Sequence, residues 1–346
     1  MPRRPFSSTY SRGNVFAWEL TCELVSKSLN EWAKAFNKVG GCSGEIRFVQ
    51  DVANTDFQKY DLIHINLSGA STETISAVKE LVKNSSTKLI LNLDYGAQES
   101  QEVERWRHDA TVLLKALACA DFLFAQTGYQ RSFLQVLWKH VLGRKEKIPL
   151  IPHPVDTEGI KRYYVKPEER LDMVAVMYHR YDKHLLLPSI IARGGKYRTV
   201  GKFHDLKLEV PTILFGYMER LIDLTMFDYV AARKFWDKYI YMLSHCTEAL
   251  SYYSKDSQDR FLAECACLGI PAVATTCSLF GKILFPRTTF SPQNIEAMIE
   301  TMQTLKEDET LWKYVKDYAW EKVERFGDSV SVKRLLEAMR EWGIKI

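Results

Sequence analysis

Short apolar runs alternate with amphipathic stretches along the whole chain, and this alternation limits the possible folds more than any other feature. In the first half the apolar runs lie at 45–50, 61–67, 88–93, 121–126 and 148–152. Near-continuous apolar strands are buried on both faces, which is typical of parallel sheets covered by helices on both sides. The pattern therefore predicts an α/β protein with doubly wound parallel sheets.

Stretches with helical periodicity precede or separate most of these runs. In the first half they predict helices at 17–36, 73–83, 102–118 and 130–142. The second half repeats the order, with predicted strands at 173–178, 212–216, 248–253 and 272–276. Three further helices are predicted to close the chain, starting near Pro292, Glu309 and Ser329.

One polar segment, residues 153–172, separates the two series of strands. It contains two prolines and no clear apolar period, which is typical of a linker between domains. We therefore expect one domain at 1–157, a second at 158–327, and a C-terminal helix at 328–346 that packs back on the first domain.

The composition is that of a globular protein with no strong electrostatic bias. Of 346 residues, 46% are hydrophobic and 26% charged, and 47 basic against 43 acidic residues leave a net charge of +4. This excess is too small to indicate nucleic-acid binding. No run of 18 apolar residues occurs, and the start of the chain lacks the apolar stretch of a secretion signal. We therefore expect a cytoplasmic protein that contacts membranes at most peripherally.

Seven cysteines are scattered along the chain without the paired spacing of a metal site. An odd number in this arrangement fits a reducing, intracellular compartment and predicts no bound metal. Cys265 and Cys267 lie inside a strongly apolar helical stretch, so we expect both to be small core residues.

The segment DSQDRFLAECACLGIPAVATT, which begins at Asp256, predicts a helix that ends at a glycine and leads into a strand. Ser257 or Asp256 is a suitable N-cap, and Asp259 adds negative charge to the first turn. Gly269 is a natural residue after the helix end, and the following proline prevents continuation. These signals predict a helix from about residue 258 to 268.

Glu264 is the one charged residue between 261 and 268, where all others are apolar or small. The helix is therefore expected to be buried on most sides, with a carboxylate among apolar neighbours. Such a carboxylate requires partners, either a neighbouring Arg or Lys or the hydroxyl of a ligand. The spacing alone leaves both alternatives open.

The same segment resembles the E-x7-E motif and the following Gly-x-Pro-Val strand of the retaining glycosyltransferases with the GT-B fold. In that fold two Rossmann-like domains face each other across a cleft. The resemblance implies that Glu264 binds the ribose hydroxyls of a nucleotide and that Asp256, one methylene shorter than the usual glutamate, reaches the donor sugar. Ser257 and Gln258, directly after Asp256, are expected to line the same donor site.

The segment MYHRYDKH is similar to the strand end at which this family binds the donor diphosphate. The resemblance places Arg180 and Lys183 on the diphosphate. Two residues separate them here instead of four, and the glycine before the arginine is missing. IPHPVDTEGIKRY is similar to the turn between the two domains of the family, and it marks the domain boundary.

Three further positions correspond to the family less closely. Gly13 lies in a segment similar to the loop that approaches the donor phosphate or the acceptor. Asp94 or Tyr95, in LNLDYGAQ, stands where many members keep a histidine near the anomeric centre. Gly216 ends a predicted strand and would allow the nucleotide base to approach closely, but a plain turn glycine is an equal alternative.

The resemblance implies a hexosyltransferase that uses a nucleotide-sugar donor, needs no metal or other cofactor, and retains the anomeric configuration. The acceptor is not identified; a lipid-linked molecule or a saccharide is expected rather than nucleic acid. Two alternatives stay open: a non-catalytic module that binds sugar nucleotides, and a nucleotide-sugar epimerase with the same architecture.

Two other features have a plain structural interpretation. His64 has apolar neighbours in DLIHINL, which favours a satisfied interior residue over a ligand. The segment RSFLQVLWKHVLGRKEK, from Arg131, has one apolar side and a basic tail. Packing inside the first domain is the preferred interpretation, and a membrane-surface element is the alternative.

Overall fold

The computed structural model describes residues 19–20, 24–25, 27–44, 56–66, 72–92, 110–177, 199–203, 206–208, 210–216, 230–232 and 236–345. The strands of these residues are β1 (Glu19–Leu20), β2 (Leu24–Val25), β3 (Leu62–Asn66), β4 (Lys88–Asn92), β5 (Phe122–Phe124), β6 (Leu171–Met177), β7 (Thr199–Phe203), β8 (Leu206–Leu208), β9 (Val210–Gly216), β10 (Val230–Ala232), β11 (Cys246–Ser251), β12 (Ala272–Thr275) and β13 (Thr289–Phe290).

The α-helices of the described residues are α1 (Lys27–Asn37), α2 (Thr72–Val82), α3 (Ala110–Ala118), α4 (Gly128–Val136), α5 (Thr157–Lys161), α6 (Trp236–Ser244), α7 (Arg260–Cys267), α8 (Leu279–Leu284), α9 (Ile295–Glu307), α10 (Glu309–Lys322) and α11 (Asp328–Glu341). Short 3-10 turns lie at Phe57–Lys59, Pro167–Glu169, Pro286–Thr288 and Val323–Phe326. α4 continues directly into a π-helical turn, Leu137–Val141.

The chain divides into two compact units. Unit 1 comprises Met1–Pro154 together with Phe326–Ile346, and unit 2 comprises Val155–Arg325. The last helix, α11, therefore belongs to the unit formed by the start of the chain. It packs against α1, and the Lys38 ammonium lies 2.5 Å from the buried Asp328 carboxylate.

Unit 1 contains a parallel sheet in the order β3-β4-β5, with His64 opposite Ile90 and Asn92 opposite Phe124. All three strands are almost entirely apolar and buried, as the continuous apolar runs predicted. Their core extends into helices α1 to α4 and α11. At the end of α11 the Trp342 ring packs on Phe122 with centroids 4.7 Å apart.

His64 is a polar residue of β3 that is buried in this core. Its Nε2–H donates to Asn92 Oδ1 at 2.7 Å, and its ring lies between Trp32 and Phe124, with centroid distances of 5.8 and 5.5 Å. The predicted interpretation as an interior residue is confirmed. Burial lowers the pKa of His64 from 6.5 to about 4, and the bond to Asn92 opposes that shift.

The free energy of unfolding is therefore expected to fall by about 3 kcal/mol as the pH drops from 6.5 to about 4, because the unfolded chain binds the proton first. His64→Gln stays neutral and can still donate to Asn92, so it should lack this loss. Urea titrations at several pH values measure the difference. His140→Gln changes an exposed ring and provides the control. Parallel curves for wild type and His64→Gln would refute the assignment.

Unit 2 contains an eight-stranded sheet in the order β13-β12-β11-β6-β9-β7-β8, with β10 also paired to β9. Every pair is parallel except the hairpin of β7 and β8. The predicted strands of the second half are confirmed, each to within about two residues of its predicted bounds. Helices α7, α8 and α9 contact β11 and β12, so the apolar strands are covered as expected for a parallel sheet.

Two predictions for individual elements were wrong, and a third falls outside the described residues. The first helix begins at Lys27 rather than at residue 17, and Glu19–Leu20 and Leu24–Val25 form a short antiparallel pair instead. The run at 148–152 is not a strand; it forms one isolated bridge, between Leu150 and Ala125. The run at 45–50 lies outside the described residues. Apolar composition alone does not show whether a neighbouring strand is available for pairing.

The segment at 153–172, predicted as a linker, contains the division between the two units, after Pro154, and has regular structure of its own. It contains α5 and a 3-10 turn, and it buries Thr157, Ile160 and Arg170. The Arg170 side chain, 8% exposed, donates to the backbone oxygens of Leu268 (2.6 Å), Gly269 (2.9 Å) and Val165 (2.9 and 3.0 Å). A buried guanidinium thus binds the carbonyl end of α7, where the helix dipole favours a cation.

Candidate functional site

The carboxyl ends of β11 and β12 are adjacent in the sheet of unit 2, and the loops that follow them are hydrogen-bonded to each other. Ser257 N–H donates to Cys277 O at 2.9 Å, and Leu279 N–H donates to Ser257 O at 2.8 Å. Phe280 N–H donates to Gln258 O at 3.2 Å. The predicted donor-site residues 256–258 are therefore held at the start of α8, at the edge of a parallel sheet where α/β proteins bind ligands.

The start of this loop is anchored by the buried Thr275 at the end of β12. Its hydroxyl donates to Tyr253 O at 2.7 Å and accepts from Tyr253 N–H at 3.1 Å. Asp256 and Ser257 are partly exposed, whereas Gln258 is buried. The loop therefore has a defined backbone while two of its polar side chains remain accessible to solvent.

Asp259, which was predicted to lie in the first turn of the helix, lies just before that turn. It occupies the N-cap position of α7 with φ of +61°, in the left-handed region, and its side chain makes no capping hydrogen bond. The side chain is 4% exposed, and its Oδ2 accepts from Ser251 Oγ at 2.7 Å. A left-handed non-glycine residue costs about 1–2 kcal/mol, and such strain clusters at functional sites.

The predicted start of the helix is corrected by this geometry. α7 begins at Arg260 rather than Gln258, and neither Asp256 nor Ser257 is its N-cap. The end of the helix was predicted correctly, because Gly269 follows it with φ of +63°. The sequence signal for the backbone conformation of Asp259 is that Asp tolerates the left-handed region better than most residues.

Glu264 lies in the middle of α7 and is 2% exposed. Every residue from Phe261 to Leu268 is buried, which confirms the prediction of a carboxylate inside a helix surrounded on all sides. Cys265 and Cys267 are core residues, as predicted. Burial raises the pKa of both thiols, and for Cys265 the charge of Glu264 is the second cause.

Gly216 is the last residue of β9, on the same edge of the sheet. β6 lies between β11 and β9 and ends at Met177. All three strands are parallel, so their carboxyl ends lie side by side. Arg180 and Lys183, which follow β6 in sequence, lie outside the described residues, as do Asp94 and Gly13.

The turn in IPHPVD contains a buried ion-pair candidate that the sequence did not indicate. His153 Nδ1 lies 3.7 Å from Glu31 Oε2, both side chains are buried, and the Trp32 ring packs on His153 at 5.7 Å. This histidine therefore contributes to the core of unit 1.

Neither a metal site nor a membrane span is found in the part of the chain that the structure describes. No group of three or more His, Cys, Asp or Glu side chains there is arranged to hold a metal ion. Among the helices of that part, none has the length and apolar character that crossing a bilayer requires.

No family model matches the chain, and no curated protein matches it by sequence. Solved structures do match. An alpha-glucosyltransferase in complex with UDP and a 13-mer DNA has 14% identity and a TM-score of 0.60, over 88% of this chain and 86% of the other. The alpha,alpha-trehalose 6-phosphate synthase from Burkholderia multivorans has 11% identity and a TM-score of 0.61, over 92% and 84%.

The Anabaena protein HepE in complex with UDP is also similar, with 14% identity and a TM-score of 0.55, over 85% of this chain and 82% of the other. At such identities the likeness shows the fold alone. The match covers most of both chains, and it agrees with the two parallel-sheet units described above. The chain therefore has the GT-B fold of the glycosyltransferases that it resembles.

Proposed function

We propose that the protein transfers a hexosyl group from a nucleotide diphosphate sugar to an acceptor, without a metal and with retention of the anomeric configuration. The observation that carries this proposal is Glu264, a carboxylate 2% exposed in a helix that starts at the carboxyl edge of the larger parallel sheet. Structures of the same fold contain UDP or UDP-glucose, which supports a sugar-nucleotide donor.

In the proposed site Glu264 binds the ribose hydroxyls of the nucleotide. Ser257 and Gln258 line the donor, and the partly exposed Asp256 orients its sugar. A sugar held in one orientation keeps its anomeric carbon at reactive distance from the acceptor oxygen. The entropy cost of bringing the two together is then met on binding and not in the reaction step. Gly216, at the carboxyl end of β9, leaves room for the base because it has no side chain.

The leaving diphosphate requires positive charge, because it gains one further negative charge as the glycosidic bond breaks. We assign Arg180 and Lys183 to this role, since they follow β6 and that strand ends between β11 and β9. A preorganised donor aimed at developing charge contributes about 3 kcal/mol in the transition state. Gly13 is assigned to the phosphate or acceptor loop and Asp94 to the reaction centre.

The acceptor is proposed to be a saccharide or a lipid-linked molecule. A net charge of +4 over 346 residues provides little of the phosphate affinity on which nucleic-acid binding depends. One similar structure does contain DNA, so a DNA acceptor belongs in the assay panel.

Loss of donor binding in Glu264→Gln and Arg180→Ala tests this proposal. Each removes a charge-assisted contact to the donor, so each is expected to weaken binding at least tenfold. Isothermal titration calorimetry with a panel of UDP, GDP, ADP and TDP sugars measures the affinity. Unchanged donor binding in both variants would refute the assignment of these two positions.

Glu248→Gln is the matched control for Glu264→Gln. Glu248 is also a buried glutamate of unit 2, 3% exposed, but it lies three residues before the carboxyl end of β11. Donor binding should be the same as in the wild type. Equal losses in the two glutamine variants would mean that Glu264 acts on the fold and not on the donor.

Product analysis separates the proposed transferase from its two alternatives. The wild type is expected to hydrolyse the donor slowly without acceptor, with release of the nucleoside diphosphate. An isomeric sugar nucleotide would instead identify an epimerase, and binding without any turnover would identify a non-catalytic module. Retention is checked from the anomeric configuration of the transferred sugar.

A further inference from the structure

The segment 128–147, which comprises α4, its π turn and the following loop, has one side in the core of unit 1. Leu134 and Trp138 are fully buried, and Phe133, Leu137 and Leu142 pack against the same core. This confirms the preferred interpretation of the segment as a packed element. Packing in the core does not explain the residues on the opposite side of the segment.

The outer side of the segment exposes apolar residues. Tyr129, Val136 and Val141 are 44%, 56% and 52% exposed. Tyr129 and Val136 are seven residues apart on a helix, so they lie on one face. The π turn, closed by the bond from Leu142 N–H to Leu137 O, adds one residue to that turn and brings Val141 near the same side as Val136.

The segment that contains these exposed residues is strongly basic. The segment contains five basic residues, namely Arg131, Lys139, Arg144, Lys145 and Lys147, and one acidic residue. The whole chain has 47 basic and 43 acidic residues, so 42 of each remain outside the segment. The net charge of +4 of the entire protein is therefore located here. Lys139, Arg144, Lys145 and Lys147 are exposed.

The single acidic residue, Glu146, offsets part of this charge: a bond from its own backbone N–H, ahead of the nearby Arg144 guanidinium, lowers the pKa of its carboxyl, and five cations against one carboxylate leave the segment at +4. Its carboxylate accepts from the indole Nε1–H of Trp138 at 3.2 Å, at the edge of the core. The Arg144 guanidinium lies over the Trp138 ring, 5.3 Å from its centroid, and its charge remains at the surface.

We propose that residues 128–147 dock unit 1 onto an anionic phospholipid surface. Four to eight basic residues on an amphipathic helix are a typical composition for binding acidic lipids, and each strengthens binding by about fivefold. The exposed valines favour a bilayer over a nucleic acid, because apolar side chains gain free energy in the interfacial region and gain none from a phosphate backbone. The proposal is independent of the proposed donor site.

Co-sedimentation with lipid vesicles tests the proposal that residues 128–147 bind an anionic phospholipid surface. The wild type is expected to bind vesicles of phosphatidylcholine mixed with phosphatidylglycerol, to bind phosphatidylcholine alone only weakly, and to lose binding as salt is raised. Three exposed cations are neutralised in one variant, which carries Lys139→Gln, Arg144→Gln and Lys145→Gln. Its affinity for the acidic vesicles should be about a hundredfold lower.

A second triple variant removes the same charge from exposed positions of unit 2 and serves as the control. It carries Arg162→Gln, Lys166→Gln and Arg325→Gln. Its binding to the acidic vesicles should be close to that of the wild type. An equal loss in both triple variants would overturn the proposal, because net charge and not this surface would then determine binding.

Val136→Ser with Val141→Ser tests the apolar contribution while leaving the cations in place. Both side chains are exposed, so the fold should be unaffected, and binding to the acidic vesicles is expected to fall several-fold. Duplex DNA is offered in parallel as a competing partner. Binding of the wild type to DNA with no binding to acidic vesicles would overturn the proposal in favour of a nucleic-acid surface.

Discussion

Between pH 4.5 and about 8 the free energy of unfolding is expected to fall by about 5 kcal/mol more in the wild type than in Glu248→Gln. Glu248 lies in β11, is 3% exposed, and its Oε2 has no hydrogen-bond partner within the described residues. Burial raises the pKa of this carboxyl from 4.5 to about 8; the nearby Lys306 ammonium lowers it and Asp172 raises it.

The direction of the effect follows from which state keeps the proton. Below pH 4.5 both the folded and the unfolded chain carry a protonated Glu248, so no free energy is lost. As the pH rises toward 8 the unfolded chain releases the proton while the folded chain keeps it, and stability declines. Above about 8 the folded chain must hold a buried carboxylate, and the full loss is reached.

Urea titrations of wild type and variant across this pH range measure the difference. Glutamine has nearly the same shape and does not titrate, so any packing cost is constant with pH and cancels from the comparison. Glu307→Gln, at an exposed position of α9 near the Lys306 and Asp172 ion pair, is the control and should keep the wild-type slope. Parallel curves for Glu248→Gln and wild type would show that Glu248 is ionised in the folded protein.

Arg170→Met is expected to lower the free energy of unfolding by about 4 kcal/mol. The substitution leaves the buried carbonyl groups of Leu268, Gly269 and Val165 without the guanidinium that donates to them, and each unsatisfied acceptor costs about 1–3 kcal/mol. It also removes the cation at the carbonyl end of α7. Arg170→Lys should lose roughly half as much, because one ammonium does not reproduce the planar fork of donors.

Thermal or urea unfolding measures this loss, with Arg162→Met as the control. Arg162 is exposed in the same segment between α5 and β6, so its replacement should change stability by less than about 0.5 kcal/mol. A similar small change in Arg170→Met would mean that its hydrogen bonds are readily replaced by water.

Several elements could be predicted because their local sequence is sufficient. β3, β4, β6, β11 and β12 are largely apolar runs, and a run buried on both faces has few alternatives to a strand in a parallel sheet. The burial of Glu264 and the left-handed Gly269 were predicted correctly for a similar reason. The apolar composition of the helix predicts that it is buried, and the Gly-Ile-Pro that follows predicts where it ends.

The candidate site could be predicted only where the residues that define it are close together in sequence. The backbone of Asp259 is held in the left-handed region within a loop that is bound to the loop after β12, and that contact joins residues about 20 positions apart in sequence. Local composition predicted an N-cap at Asp256 or Ser257 instead, since both are good capping residues in isolation. The roles of Arg180, Lys183, Asp94 and Gly13 stay predictions.

The sequence by itself determined the α/β class, the parallel strands and the buried acid of α7, because hydrophobic periodicity is a property of consecutive residues. Only the tertiary structure decided that Arg170 binds the end of α7, that Glu248 is buried near Lys306 and Asp172, and that Val136 and Val141 are exposed within the basic segment 128–147. These three features depend on which distant residues come together and on which groups lose contact with water. A short stretch of sequence contains neither kind of information.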